Sequence, residues 1–280
     1  MEEYSSRILQ AKQAIKQADY IIIGAGAGLS TAAGLLYSGE KFEKDFKEFI
    51  EKYHFDNLYS ASFYEFKTQE EKWAFFAKMI KLNRYNEKPL KLYQELYEIV
   101  KNKEYFVLST NVDGQFYNSG FDKDKVFEVQ GDYEYLQCKN ACHNKLYNNR
   151  DLVEKWLQNT KDCEIPSNLI MKCPVCGGNM DMNLRKDANF VQDENWYIQS
   201  EKYEDFLSRS KGKNVVLLEI GVGFNTPGII RFPFEQMTAN NVKTTLIRIN
   251  KDYPNPMLEI KNKTISFDED TNKIIEDLKE

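Results

Sequence analysis

The apolar positions of this chain change period along its length, and the changes mark its elements. Ile8, Ala11, Ile15 and Ala18 recur at helical spacing, which predicts an amphipathic helix near the start. That pattern gives way to Tyr20-Ile21-Ile22-Ile23, an apolar run of strand length that leads into a glycine-rich turn. Comparable runs follow at Tyr105 to Ser109, Val126 to Val129, Val215 to Ile220 and Thr245 to Ile249, with stretches of helical period between them. Strands that alternate with helices predict an α/β fold with a mostly parallel sheet covered on both faces.

The arrangement is that of a Rossmann-like, doubly wound sheet. Functional loops in such sheets lie beyond the carboxyl ends of the strands, where the strand order reverses. Two stretches interrupt the pattern. Residues from about Glu40 to Arg84 read as helical and are rich in Phe, Tyr and Lys, and residues from about Tyr133 to Asp193 carry two cysteine pairs and many Asn. The expected organisation is therefore a discontinuous large domain, 1–39, 85–132 and 194–280, with a smaller lobe from 40–84 and 133–193 that has a helical part and a zinc-ribbon-like part.

Composition narrows the classes of function. With 280 residues, 42% of them apolar, the chain can bury one large core or a core plus a lobe. A net charge of −5 disfavours nucleic acid or an anionic membrane, since both ask for a basic stripe. The longest apolar runs fall far short of a spanning helix, and Met1 to Lys16 has no signal-peptide core, so the expected location is the cytoplasm.

The motifs fall at the ends of the predicted strands. Gly24-Ala25-Gly26-Ala27-Gly28-Leu29-Ser30 follows a strand and opens a helix, so its small residues let backbone approach a pyrophosphate near the helix's positive end. A plain strand-to-helix turn would use the same glycines. Asn111 and Asp113 alternate along an extended stretch after a strand, which places both polar ends on one side. Gln130 ends another strand, the loop Gly221-Val222-Gly223-Phe224-Asn225-Thr226 follows a fourth, and Asn250 a fifth.

Five cysteines make an odd count, and four sit as close pairs, Cys138-x₃-Cys142 and Cys173-x₂-Cys176. Four thiolates at this spacing suit tetrahedral zinc, and a closed set of four leaves no position for water, which argues for a structural metal. His143 is an alternative ligand to Cys142, Cys163 is left over, and His54 lies among aromatics as filler.

In their order along the chain these segments resemble the sirtuin family. Gly26 to Leu35 is similar to the sirtuin Gly-Ala-Gly-Ile-Ser-x-x-x-Gly-Ile, and Ser109-Thr110-Asn111-Val112-Asp113 to Thr-Gln-Asn-Ile-Asp. Val129-Gln130-Gly131 matches a segment that ends in His-Gly, where the histidine is the base of deacylation. Leu36, Tyr37, Ser38 and Gly39 stand where sirtuins carry Pro-Asp-Phe-Arg. Gln130 is an amide and cannot take a proton at ordinary pH, and general-base help is typically worth about 10²–10⁴-fold in rate.

With glutamine at this position the chain most resembles the class M, macrodomain-linked microbial sirtuins. The resemblance implies NAD-dependent protein mono-ADP-ribosylation with poor or no deacylation, and NAD held by Gly26, Ala27, Gly28, Ser30, Asn111, Asp113, Gln130, Gly221, Gly223, Asn225 and Asn250. It implies active-site roles for Asn111, Asp113, Gln130 and Arg185. The acceptor it implies is a lipoylated, glycine-cleavage H-like protein, with a macrodomain hydrolase and a lipoate ligase as further partners. A non-catalytic NAD-sensing module, a stand-alone NAD hydrolase and a deacylase are the alternatives.

Overall fold

The computed structural model describes residues 3–35, 39–85 and 88–279. Leu36, Tyr37 and Ser38, three of the four positions that depart from the sirtuin pattern, lie outside the described residues. The strands among the described residues are β1 Tyr20–Ala25, β2 Glu104–Ser109, β3 Val126–Glu128, β4 Gly131–Cys138, β5 Tyr147–Asn148, β6 Met180–Leu184, β7 Val215–Ile220, β8 Thr244–Ile249 and β9 Thr264–Phe267. The chain divides into two compact units, the first made of Met1–Ala33, Pro89–Gln130 and Glu194–Glu280, the second of Gly34–Lys88 and Gly131–Asp193.

In the first unit six parallel strands run in the order β3-β2-β1-β7-β8-β9. The order reverses between β1 and β7, which fixes the switch point and with it the place where a ligand fits. Successive residues of β1 point to opposite faces, and both faces are dry. Ile21, Ile23 and Ala25 pack with Ile8, Ala11 and Ile15 of the helix Tyr4–Gln17, with Leu92 and Leu96 of the helix Lys91–Val100, and with Ile274 and Ile275 of the helix Thr271–Lys279. Ile22 packs on the other face with Phe206 of the helix Glu194–Ser210 and Phe234 of the helix Arg231–Asn240. The continuous apolar runs therefore predicted this doubly wound sheet correctly. They did not show β9, a four-residue edge strand with one fully buried side chain.

The second unit combines helices with a small sheet. Its helical part includes Glu40–Asp45, Lys47–Tyr53, Leu58–Ser62 and Gln69–Ile80, the last opened by a capping box in which Thr68 and Glu71 satisfy each other's backbone. Phe42, Phe46, Phe49 and Phe75 form its aromatic core. Strands β5-β4-β6 make an antiparallel sheet, and Trp156 of the helix Arg150–Asn159 stacks on Trp73 at 4.8 Å. Among the described residues no helix is long and apolar enough to cross a membrane.

Candidate active site

Three glycines fuse the loops after β1 and β7. A Cβ on Gly26 would lie 2.6 Å from the Gly221 carbonyl oxygen, and one on Gly28 would lie 2.7 Å from the Gly221 Cα. Gly221 itself has φ +63°, a conformation that side chains rarely adopt. The Gly26 amide donates to the Ile220 carbonyl at 3.0 Å and the Gly28 amide to the Gly221 carbonyl at 3.0 Å. Both amides are thus committed to holding two loops together, while Ala27 and Gly28 remain exposed at the switch point.

Asn250, at the end of β8, ties the same place down from a third strand. Its Nδ2 donates to the Val222 carbonyl at 2.8 Å, and its Oδ1 accepts from the amides of Asp252 and Tyr253 at 3.1 and 2.9 Å. Gly223 and Asn225 are exposed on the loop it anchors.

Beyond β2 the chain turns back on the glycine loop. Ser30 Oγ donates to Asp113 Oδ2 at 2.6 Å, and the Gln115 amide donates to Asp113 Oδ1 at 3.0 Å. Asn111 Nδ2 donates to the Gly26 carbonyl at 3.1 Å and to Tyr93 Oη at 3.3 Å. Tyr93 Oη also lies 2.8 Å from Ser30 Oγ. Ser30, Asn111 and Asp113 are therefore brought together, all three buried. Tyr93 completes the cluster. Sequence reasoning missed it because it sits on the apolar face of its helix, beside Leu92 and Leu96, where a tyrosine reads as core.

Gln130 follows β3 and stays partly exposed, with Nε2 donating to Thr226 Oγ1 at 3.0 Å. The chain's two histidines, His54 and His143, both belong to the second unit. Arg185 also lies in the second unit, exposed on the bend after β6. Among the described residues Arg185 forms no ion pair, and its guanidinium is open to solvent.

The second unit carries the candidate metal centre. The Sγ atoms of Cys138, Cys142, Cys173 and Cys176 all lie within 4.8 Å of one another, with Cys138 to Cys176 and Cys142 to Cys173 each at 3.6 Å. Thiolates at about 2.3 Å from a tetrahedral zinc are about 3.8 Å apart, so the cluster has the size and donor set for that ion. Two tight turns shape it. The Ala141 amide bonds to the Cys138 carbonyl at 2.9 Å and the Gly177 amide to the Cys173 carbonyl at 2.8 Å. His143 Nδ1 is 3.1 Å from Cys142 Sγ and its Nε2 is 2.9 Å from Tyr147 Oη. With four sulfurs already gathered, this histidine stands as a partner of a ligand and not as a fifth donor.

A parallel sheet whose switch point is closed by glycine and ringed by Ser30, Asn111, Gln130 and Asn250 defines a Rossmann-like dinucleotide-binding protein. The Sir2 family model matches residues 26–208, and the chain belongs to the Sir2 family. As a sirtuin it uses NAD. It is 35% identical over 276 residues, 98% of this chain and 88% of the relative, to a protein ADP-ribosyltransferase of Staphylococcus aureus (strain Mu50). It is 32% identical over 252 residues to a probable bifunctional ADP-ribose hydrolase/ADP-ribosyltransferase of Fusarium oxysporum f. sp. cubense, where the match covers 85% of this chain and 41% of that longer protein. Among solved structures, a mutant Sir2 homologue in complex with ADP-ribose superposes with a TM-score of 0.59 at 16% identity, covering 100% of this chain and 95% of the other. At that identity the likeness concerns the fold.

Proposed function

We propose that the chain is an NAD-dependent protein mono-ADP-ribosyltransferase with poor or no deacylase activity, acting on a lipoylated, glycine-cleavage H-like carrier protein. The transferase class rests on membership of the Sir2 family and on the two ADP-ribosyltransferase relatives. The observation that carries the rest is Gln130, whose amide is held by Thr226 in the unit that contains the dinucleotide crevice, where neither histidine of the chain belongs.

NAD supplies a glycosidic bond between ribose and nicotinamide that breaks with its electron pair leaving on nicotinamide, and an acceptor nucleophile bonds to the ribose carbon and gives up its proton. Asn111 orients the ribose, and Gln130 holds a ribose hydroxyl by hydrogen bonding without removing its proton. Asp113 supports the nicotinamide pocket or loop, holding Ser30, which meets Tyr93 beside Asn111. Arg185 positions the acceptor or a phosphate, as a guanidinium does in bidentate pairing. A macrodomain hydrolase that removes the modification and a lipoate ligase that prepares the acceptor are the partners this reading calls for.

The test is the intact mass of a lipoylated H-like protein after incubation with this protein and NAD. One added ADP-ribose supports the transferase and its acceptor together. Nicotinamide release with no mass gain identifies a hydrolase, NAD binding with no nicotinamide release identifies a sensor, and efficient deacylation of acyl-lysine peptides overturns the reading of Gln130.

A further inference from the structure

Tyr93 is fully buried, and its ring packs edge-on against Phe116 at 5.0 Å. A buried phenol needs partners for its one donor and its acceptor positions, and Ser30 and Asn111 are two of them here. Ser30 spends its single hydroxyl proton on the Asp113 carboxylate at 2.6 Å. The 2.8 Å bond between Ser30 Oγ and Tyr93 Oη therefore has Tyr93 as donor. Tyr93 Oη is left as an acceptor, which it offers to Asn111 Nδ2 at 3.3 Å.

The Gly26 carbonyl settles the orientation of the Asn111 amide independently. It lies 3.1 Å from one end of that amide and can only accept, so that end is the NH₂ group. Both Nδ2 protons are then used, one by Gly26 and one by Tyr93. Among the described residues Asn111 Oδ1 has no hydrogen-bond partner.

We propose that Tyr93 is a positioning residue whose hydroxyl, wedged between Ser30 and Asn111, locks the Asn111 amide with Nδ2 turned into the protein and Oδ1 left as the acceptor for a ribose hydroxyl of the dinucleotide. Without the phenol oxygen one Nδ2 proton loses its partner, and the Gly26 carbonyl alone is left to hold the amide, so the lock on its posture is weakened. The site then stops distinguishing a hydroxyl that donates from a position that carries none. The inference rests on the NAD reading and is independent of whether transfer follows.

Calorimetry with NAD and with its 2′-deoxy and 3′-deoxy analogues on the nicotinamide ribose tests it, because binding can be read whether or not the protein transfers ADP-ribose. The unaltered protein is expected to bind at least one deoxy analogue about tenfold more weakly than NAD, as for a lost hydrogen bond in a partly dry site. Tyr93→Phe, which keeps the ring and its packing, should bring that ratio below about threefold while still binding NAD. Ser30→Ala approaches the same lock from its other end and should shift the ratio in the same direction. Discrimination that survives in Tyr93→Phe overturns the inference, as does its absence from the unaltered protein. Normal discrimination with no transfer overturns the proposed function alone, and absence of NAD binding to the unaltered protein overturns both.

Discussion

Gln130 Nε2 donates to Thr226 Oγ1 at 3.0 Å, joining the end of β3 to the loop after β7 across 96 residues of sequence. The bond uses the amide nitrogen and leaves Oε1 as an acceptor, so the side chain is held in a fixed posture for a ribose hydroxyl. Removing one neutral hydrogen bond typically costs about 1 kcal/mol, or roughly fivefold in an equilibrium or a rate. Thr226→Val should therefore slow nicotinamide release about fivefold, and Gln130→Ala should slow it further, with little change in unfolding temperature because both side chains face solvent. Steady-state nicotinamide release checks both; equal rates for all three proteins would leave the amide without a role.

The side chains at this crevice, Asn111, Gln130 and Thr226, have no group that titrates near neutrality. The pH profile of nicotinamide release between about 6 and 8 should accordingly be flat for the unaltered protein. Gln130→His introduces an imidazole whose ordinary pKa is about 6.5. Its base form predominates above that value, so the variant should gain an inflection there, with any new deacylation of acyl-lysine peptides rising toward higher pH. A flat profile in the variant would place position 130 away from the reacting atoms.

The sheet was legible because a parallel strand buried on both faces must be apolar along its whole length, as Ile21 to Ile23 and Val215 to Leu218 are. β4 was not legible. It reads Gly-Asp-Tyr-Glu-Tyr-Leu-Gln-Cys, and its buried polar groups are satisfied by partners distant in sequence, as when Arg84 forks onto Asp132 at 2.8 and 3.0 Å. The glycine-rich and polar motifs could be picked out from local pattern, because their residues are unsuited to a core. Tyr93 could not, since a tyrosine on an apolar helix face carries no local sign of what it bonds to, and the loop motif that contains Thr226 gave no sign of its bond to Gln130.

Metal removal separates the roles of the cysteines from that of His143. Purified protein should carry one zinc per chain, and chelation should unfold the ribbon of the second unit, since metal-binding free energy at such sites is folding free energy. Cys173→Ser is expected to lose the metal and to lower the unfolding temperature by at least about 5 °C, equivalent to about 3 kcal/mol in a chain of this size. His143→Ala should retain the metal with affinity reduced by about tenfold, the usual scale for a partner of a ligand. Atomic emission together with thermal unfolding reads all three. Complete loss of metal in His143→Ala would make the histidine a ligand in place of Cys142.

Behind the β7 and β8 loops four charged side chains are buried together. Arg248 Nη2 donates to Glu219 Oε2 at 2.9 Å and its Nη1 to Glu235 Oε1 at 2.8 Å, while Arg231 Nη1 lies 3.4 Å from Glu219 Oε1. Burial pushes the Glu219 carboxyl above its ordinary pKa, and the facing Arg248 guanidinium opposes that rise. The arginines also latch the segment after Asn250: Arg231 Nη2 donates to the carbonyls of Tyr253 and Asn255, and Arg248 Nη1 to that of Asn255. Arg248→Met fills the space of the side chain but strands Glu235 in a dry core and leaves Glu219 with only Arg231, which typically costs about 3–5 kcal/mol. Adding Glu219→Gln removes a carboxylate that has lost its nearer guanidinium and should recover part of that loss, because the two positions touch and do not act independently. Denaturant unfolding of the single and double variants reads the coupling. Strictly additive losses would show that the cluster contributes no paired electrostatics to the loop that Asn250 anchors.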